Sequence, residues 1–191
     1  MSHQHKSNRI SESFKERADS SAYWEAWVGA RLSRANLFTV HHPFTLASET
    51  GNPLSFYAHT WDLDVSADNV LFTPVEVKSV NLRFANPNDY PHMGVLVCSE
   101  ASFRNKAGPT RRHLTSTFRD FLMVSRITGD ILWLPKGTPV GRKEVTDKTR
   151  GETYWCITAH KSELRPLDAF VESVRLHGQD VPKEDSKAQR R

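Results

Sequence analysis

Two stretches of the chain decide its fold: Trp61-Asp-Leu-Asp-Val65 and Pro74-Val-Glu-Val-Lys-Ser79. Apolar and charged residues alternate in both, which is the period of a β-strand with one buried face. The residues Ala67-Asp-Asn69 between them are typical of a turn. The sequence therefore predicts a pair of antiparallel strands with a charged face. The charged residues on that face are Asp62, Asp64, Glu76 and Lys78.

The segments around this strand pair predict further helices and strands. Trp24, Val28 and Leu32 recur at helical spacing, which predicts a helix that ends near Asn36. Further strands are expected over 37–42, 93–103, 120–127, 131–134 and 154–159, and a last helix over 164–176. This order of elements predicts an α/β fold, or an α+β fold, around a mixed or mostly antiparallel central sheet.

Length and composition predict one folded domain. The chain has 191 residues, of which 38% are hydrophobic and 25% charged, a balance typical of globular domains. We expect a flexible N-terminus over 1–12, a single domain over 13–178 and a polar C-terminal tail over 179–191. No apolar run approaches the roughly 20 residues that a membrane-spanning helix needs, so no membrane partner is expected.

The cysteines indicate the compartment. Cys98 and Cys156 lie far apart, each inside an apolar run, and two isolated cysteines cannot form a zinc ribbon. They are typical of buried thiols in a reducing environment. The N-terminus also lacks the apolar stretch of a secretory signal. We therefore expect a cytoplasmic protein.

The charged face of the strand pair is a candidate metal site. With the turn near Asn69, we expect Asp64 to lie close to Glu76, with Lys78 next along the same face. Two carboxylates form an oxygen-rich site for a hard cation such as Mg²⁺, which can polarise a phosphodiester and activate water. A lysine one pleat away can hold the attacking water or neutralise charge in the transition state. The alternative is a solvated surface pair, because an acid two residues before a lysine also occurs at Asp185 in the polar tail.

These elements resemble the core of the PD-(D/E)xK nuclease superfamily, which has the restriction-endonuclease-like fold. The resemblance covers about residues 20–80 and rests on a helix with Glu25, a strand with Asp64 and a strand with Glu76 and Lys78, in that order. Small nucleases similar to Holliday-junction resolvases have these elements at similar separations. The resemblance implies a central mixed sheet flanked by helices and a Mg²⁺-dependent nuclease, with Mn²⁺ expected to substitute.

The resemblance also implies the roles of individual residues. Asp64, Glu76 and the main-chain carbonyl of Val77 would hold the metal, and Glu25 and Lys78 would complete the catalytic group. Asp64 is preferred because it lies at the family's usual separation from the glutamate and precedes an apolar strand residue. Asp62 is the alternative ligand, and no proline precedes either aspartate, in contrast to the family motif.

A basic segment follows at residues 104–119, which contain no acidic residue. Gly108-Pro109 interrupts it and predicts a projecting loop. Beside a metal site, such cations would contact the phosphates of DNA and position it without reading its sequence. The net charge of +4 agrees with a polyanionic partner. The candidate DNA-binding residues are Arg104, Lys106, Arg111, Arg112 and Arg119.

The leading interpretation is a metal-dependent DNA endonuclease that hydrolyses phosphodiester bonds. Its substrate would be duplex, branched or single-stranded DNA, and the sequence leaves open whether the chain acts as a homodimer. The alternative is a non-catalytic nucleic-acid-binding protein on a degenerate nuclease fold. A protein-interaction adaptor is a third reading, based on the five tryptophans. The chain shows no Walker loop and no helix-turn-helix, zinc-finger or RNA-recognition signature.

We predict that replacing Arg111 and Arg112 together by alanine weakens DNA binding and flattens its salt dependence. Each lost phosphate contact lowers the slope of log affinity against log salt by about 0.9 on duplex DNA, so the double variant should differ by roughly 2. Affinity measured at several salt concentrations tests this. Parallel lines for the wild type and the variant would show that neither arginine contacts phosphate.

Overall fold

The central feature of the fold is a six-stranded mixed sheet, in a computed structural model that describes residues 20–42, 61–107, 115–147 and 151–179. Three helices and a separate three-stranded sheet surround it within these ranges. In chain order the elements are α1 (20–34), β1 (Phe38–His41), β2 (Leu63–Ser66), β3 (Thr73–Val80), β4 (Gly94–Ser99), α2 (Glu100–Ala107), β5 (Asp120–Ser125), β6 (Ile131–Leu134), β7 (Gly141–Asp147), β8 (Glu152–His160), β9 (Arg165–Pro166) and α3 (Leu167–Gln179).

The order of strands in the large sheet is β1-β2-β3-β5-β6-β9. Four of its neighbouring pairs are antiparallel, and β3 and β5 are parallel. Parallel neighbours need a crossover between them, and the chain makes it here through β4 and α2. The small sheet has the order β4-β8-β7 and is antiparallel throughout.

Each face of the large sheet packs against its own hydrophobic core. On one face, α1 and α3 cover Leu63, Val65, Val75 and Val77, all of which are buried. On the other face, Phe121 and Met123 pack against the small sheet and α2. The alternation of the two strand motifs is therefore confirmed: their apolar residues face the helices, and Asp62, Asp64, Glu76 and Lys78 belong to the opposite face. Among the described residues, no helix is long and apolar enough to cross a membrane.

The structure differs from the sequence-based expectations in two strands. The strand expected over 93–103 ends at Ser99, whose hydroxyl accepts the N–H of Ser102 at 3.2 Å and so caps α2. Strand β7 was not predicted, because its exposed, charged residues Arg142, Lys143 and Glu144 lack apolar alternation. Helices α1 and α3 cover one face of the large sheet, and the small sheet together with α2 covers the other. The expected N-terminus and C-terminal tail lie largely outside the described residues.

Gly129 lies in the turn between β5 and β6 and contacts Trp27 of α1. Its carbonyl accepts the indole N–H of Trp27 at 3.0 Å, its φ is 76°, and a Cβ there would lie 3.1 Å from the Trp27 ring. Gly137 also has a positive φ, 85°, but a Cβ there would meet nothing within 4 Å.

We predict that Gly129→Ala destabilises the fold more than Gly137→Ala. The left-handed backbone should cost each variant about 1–2 kcal/mol of unfolding free energy, and only Gly129→Ala adds a tight contact, 3.1 Å, with the Trp27 ring. Gly94→Ala, where φ is not positive and the space is open, is the control and should change little. Denaturant unfolding of the three variants measures the difference. Equal losses at positions 129 and 137 would contradict the role of the Trp27 contact.

Candidate functional site

The register of β2 against β3 decides which aspartate faces Glu76. The paired residues include Leu63 with Val75 and Asp64 with Pro74. One residue beyond this ladder, the N–H of Asp62 donates to the carbonyl of Val75 at 3.1 Å, so Asp62 lies across from Glu76. The carboxylate of Asp62 accepts the N–H of Val77 at 2.7 Å. The structure therefore places Asp62 at the position expected for Asp64.

The turn explains this difference. Asn69 has a left-handed backbone, with a φ of 61°, and the strands are paired symmetrically about it. Residues at equal distances before and after Asn69 face each other, and Asp62 and Glu76 each lie seven positions away. Asp68 stabilises the turn, because its carboxylate accepts the N–H groups of Val70 and Leu71 at 2.9 and 3.0 Å. The expected turn was right, and the register counted from it was wrong by two residues.

Glu76 is the most deeply buried acid of the site, with 1% of its surface exposed. The Lys78 ammonium donates to Glu76 Oε1 at 2.6 Å, and a guanidinium nitrogen of Arg119 lies 3.9 Å from Oε2. A buried carboxylate is costly unless cations compensate its charge. Glu76, Lys78 and Arg119 therefore form one electrostatic unit on the charged face of the sheet.

The carboxylates around Lys78 determine its protonation state. Burial on its own lowers the pKa of Lys78, but attraction to the carboxylates of Glu76 and Asp62, together with the hydrogen bond to Glu76, raises that pKa above its usual value. The side chain therefore stays protonated at neutral pH. It can donate hydrogen bonds and stabilise negative charge, but it cannot act as a general base.

Arg119 does not lie where the sequence placed it. We expected it on an exposed DNA-binding loop, and instead it is 7% exposed, directly before β5. Its guanidinium carbon lies 4.4 Å from the Phe118 ring centroid and 5.6 Å from that of Trp61, which are cation–π distances. Sequence reasoning missed this placement because the parallel pairing of β5 with β3, which brings Arg119 to Glu76, depends on contacts distant in the chain.

Of the other predicted DNA-binding residues, the structure describes the side chain of Arg104 alone. Arg104 lies in α2 and forms an exposed ion pair with Glu100 at 2.6 Å. The side chain of Lys106 lies outside the described part of the structure, as do Arg111 and Arg112.

Asp64 has a partner of its own. His42 Nε2 lies 2.8 Å from its carboxylate, and the His42 ring meets Trp61 edge to face at a centroid distance of 5.8 Å. The N–H of His42 donates to the carbonyl of Asp62 at 3.0 Å, so β1 continues along both aspartates. Sequence reasoning did not single out His42, because its position at the end of a strand gives no sign that it pairs with Asp64.

Glu25 is buried in α1, and its carboxylate accepts the hydroxyl of Ser21 at 2.7 Å. The helix packs with Leu63 and Val75 on the face of the sheet opposite Glu76. Within the described residues, no group of three or more His, Cys, Asp or Glu side chains is arranged to hold a metal ion, so the structure does not assemble Glu25 with Asp62 and Glu76.

Two carboxylates are nevertheless a sufficient protein contribution for Mg²⁺. This ion retains several waters and typically binds through one or two carboxylates together with substrate phosphates. Asp62, directly before β2, lies across from Glu76 of β3 on the same face, and the carbonyl of Val77 is a further oxygen in β3. The chemistry of this donor set fits a hard divalent cation.

No known protein family matches the chain, and no curated protein or solved structure matches it. Its class is therefore defined by fold and site alone. It is a mixed α/β protein whose central sheet brings two carboxylates, a lysine and a buried arginine together on one face.

The raised pKa of Lys78 predicts a pH dependence of stability. The pKa of Lys78 is higher in the folded than in the unfolded protein, so protonation of Lys78 stabilises the fold. This stabilisation is complete below the unfolded-state pKa, about 10.4. It is lost as the pH rises through the folded-state pKa. We therefore expect the difference in unfolding free energy between the wild type and Lys78→Met to stay constant from pH 8 to about 10.4 and to fall above it. Denaturant unfolding over this range tests the prediction. A difference that does not change above pH 10.4 would show that folding leaves the pKa of Lys78 unperturbed.

Proposed function

We propose that this chain is a metal-dependent endonuclease that hydrolyses phosphodiester bonds of DNA. The observation that carries the proposal is Asp62 facing Glu76 across β2 and β3, with Lys78 hydrogen-bonded to Glu76. The chain has, in order, a helix, a strand with an aspartate and a strand in which a glutamate precedes a lysine by two residues. Both strands belong to a mixed sheet. The resemblance to the PD-(D/E)xK nucleases implies this order. That fold remains part of the proposal.

The proposed roles follow from the geometry and charge. Asp62 and Glu76 would hold Mg²⁺ or Mn²⁺, with the Val77 carbonyl as a further ligand. The bound ion would supply a Lewis acid for the phosphodiester and lower the pKa of water. Lys78, protonated at neutral pH, would orient the attacking water by donating a hydrogen bond to it, or stabilise charge on the phosphate oxygens.

Asp64 takes a different role in this proposal. Its carboxylate is oriented by His42 at 2.8 Å, and it lies across from Pro74 rather than Glu76. We infer that Asp64 supports the site from the neighbouring position, while Asp62 is the direct ligand. Asp62 thereby takes the ligand role that the resemblance assigned to Asp64.

A non-catalytic nucleic-acid-binding protein is the second candidate. The observation that favours it is the compensation of Glu76 by two cations, Lys78 at 2.6 Å and Arg119 at 3.9 Å. A carboxylate neutralised in this way attracts a metal ion less strongly. Under this alternative the charged face is a structural ion-pair network, and DNA binding does not depend on divalent metal.

We predict that Asp62→Asn and Lys78→Met reduce DNA cleavage more than Asp64→Asn. Loss of the charge-stabilising lysine should cost about 100- to 1,000-fold in turnover, and Asp62→Asn should raise the Mg²⁺ concentration that half-maximal activity requires. Cleavage of plasmid, branched and single-stranded DNA in Mg²⁺ or Mn²⁺ measures both effects. Thermal unfolding of each variant checks that it is folded.

Lys143→Ala is the matched control, because Lys143 is an exposed lysine in β7. We expect this variant to leave turnover unchanged. No cleavage of any substrate by the wild type in either metal would contradict the nuclease proposal. Full activity in Lys78→Met would remove the lysine from the mechanism.

A further inference from the structure

The indole ring of Trp61, two residues before β2, contacts two ionisable side chains of the charged face. The guanidinium carbon of Arg119 lies 5.6 Å from the centre of this ring, and the His42 ring meets it edge to face at 5.8 Å. Arg119 in turn lies 3.9 Å from Glu76 Oε2, and His42 Nε2 lies 2.8 Å from the carboxylate of Asp64. One aromatic ring therefore contacts the partners of two carboxylates.

The contacts of Trp61 differ from those of the tryptophans that pack in the hydrophobic interior. Among the described residues, Trp61 is a member of neither hydrophobic core. Its indole N–H is buried and meets no acceptor in the described part of the chain, whereas the N–H groups of Trp27 and Trp133 each donate to an oxygen. The contacts that the structure shows for Trp61 are those of its ring with Arg119 and His42.

Two aromatic rings from separate segments of the chain hold the guanidinium of Arg119. Phe118 lies at 4.4 Å and Trp61 at 5.6 Å, and cation–π attraction is strongest for a desolvated cation, as Arg119 is at 7% exposure. Phe118 is the chain neighbour of Arg119 and moves with it. Trp61 is instead the chain neighbour of Asp62. The Trp61 ring therefore fixes Arg119 relative to the strand that carries the aspartates.

The same ring restricts the imidazole of His42. An edge-to-face arrangement is one that aromatic pairs prefer, and the contact with Asp64 at 2.8 Å requires one orientation of the imidazole plane. The main chain of His42 is held as well, because its N–H donates to the carbonyl of Asp62 at 3.0 Å. The Trp61 ring thus supplies the contact that fixes the side chain.

We propose that Trp61 is a positioning residue of the proposed site, whose ring holds Arg119 beside Glu76 and orients His42 towards Asp64. Ordering a long arginine side chain costs conformational entropy, and the ring contact offsets that cost. The inference rests on the proposed function for the use of the site, but the positioning itself requires neither metal nor DNA.

Nuclear magnetic resonance of the ¹⁵N-labelled protein, without metal or DNA, tests the positioning. We expect the order parameter of Arg119 Nε in the wild type to be near that of rigid backbone, about 0.85, and to fall below about 0.6 in Trp61→Leu. The Nε2 chemical shift of His42, which depends on its contact with Asp64, should change in the same variant. Unchanged backbone order elsewhere separates these effects from a general loss of structure.

Trp61→Phe is the conservative variant, because it keeps an aromatic face and removes no hydrogen bond among the described residues. It should restore most of the order of Arg119 and the chemical shift of His42. An Arg119 order parameter or a His42 shift that stays unchanged in Trp61→Leu would overturn the proposal. A low order parameter for Arg119 in the wild type would overturn it without any variant.

Trp155→Leu is the matched control, because Trp155 also pairs with an arginine beside a glutamate. The guanidinium carbon of Arg142 lies 5.0 Å from the Trp155 ring centre, and Arg142 lies 3.5 Å from the carboxylate of Glu100. Trp155 is 46% exposed and belongs to the small sheet. Its replacement should leave the order of Arg119 unchanged.

Steady-state cleavage separates this outcome from that of the nuclease proposal. In an active enzyme, Trp61→Leu should lower kcat by up to about 100-fold, the effect of misplacing a group by roughly 1 Å, and leave KM for DNA unchanged. If the wild type cleaves no DNA but Arg119 loses order in Trp61→Leu, the nuclease proposal fails and the positioning role holds. If the wild type cleaves DNA and Arg119 keeps its order in that variant, the nuclease proposal holds and the positioning role fails.

Discussion

Glu76 carries a carboxylate that is 1% exposed in the middle of a six-stranded sheet, and the organisation of the charged face follows from it. A carboxylate buried this deeply must be compensated by nearby cations and hydrogen bonds. Lys78 supplies one cation from the same strand, and Arg119 supplies another from the segment before the parallel strand β5. The raised pKa of Lys78 and the burial of Arg119 are two consequences of the same charge.

The pairing of β2 with β3 can be predicted from the sequence, because the two strands are close together in the chain. The alternation around Leu63 and Val75 predicts two strands with one buried face, because side chains of successive strand residues point to opposite faces. The register also follows from the sequence once the centre of the turn, Asn69, is known, since Asp62 and Glu76 are equidistant from it. A register two residues away, together with the separation typical of the family that the chain resembles, favours Asp64 instead.

The non-local part could not be predicted in this way. Arg119 reaches Glu76 only because β5 pairs with β3 in parallel, across a crossover that includes β4 and α2. A run of basic residues in sequence predicts a solvated, DNA-facing loop, and no local pattern shows that its last member is buried between aromatic rings. The charged edge strand β7 was not predicted for a related reason. Exposed strands lack the apolar alternation by which buried strands are recognised in a sequence.

The balance of charges on this face separates the two candidate functions. Two carboxylates facing each other suit a divalent cation, whereas two cations at Glu76 suit a closed ion-pair network. The most direct measurement is titration of the wild type with Mn²⁺ followed by electron paramagnetic resonance, with Glu76→Gln, Asp62→Asn and Asp64→Asn in parallel. A metal site predicts binding by the wild type and by Asp64→Asn and its loss in the other two variants. Failure of the wild type to bind Mn²⁺, or undiminished binding by Glu76→Gln, would contradict it.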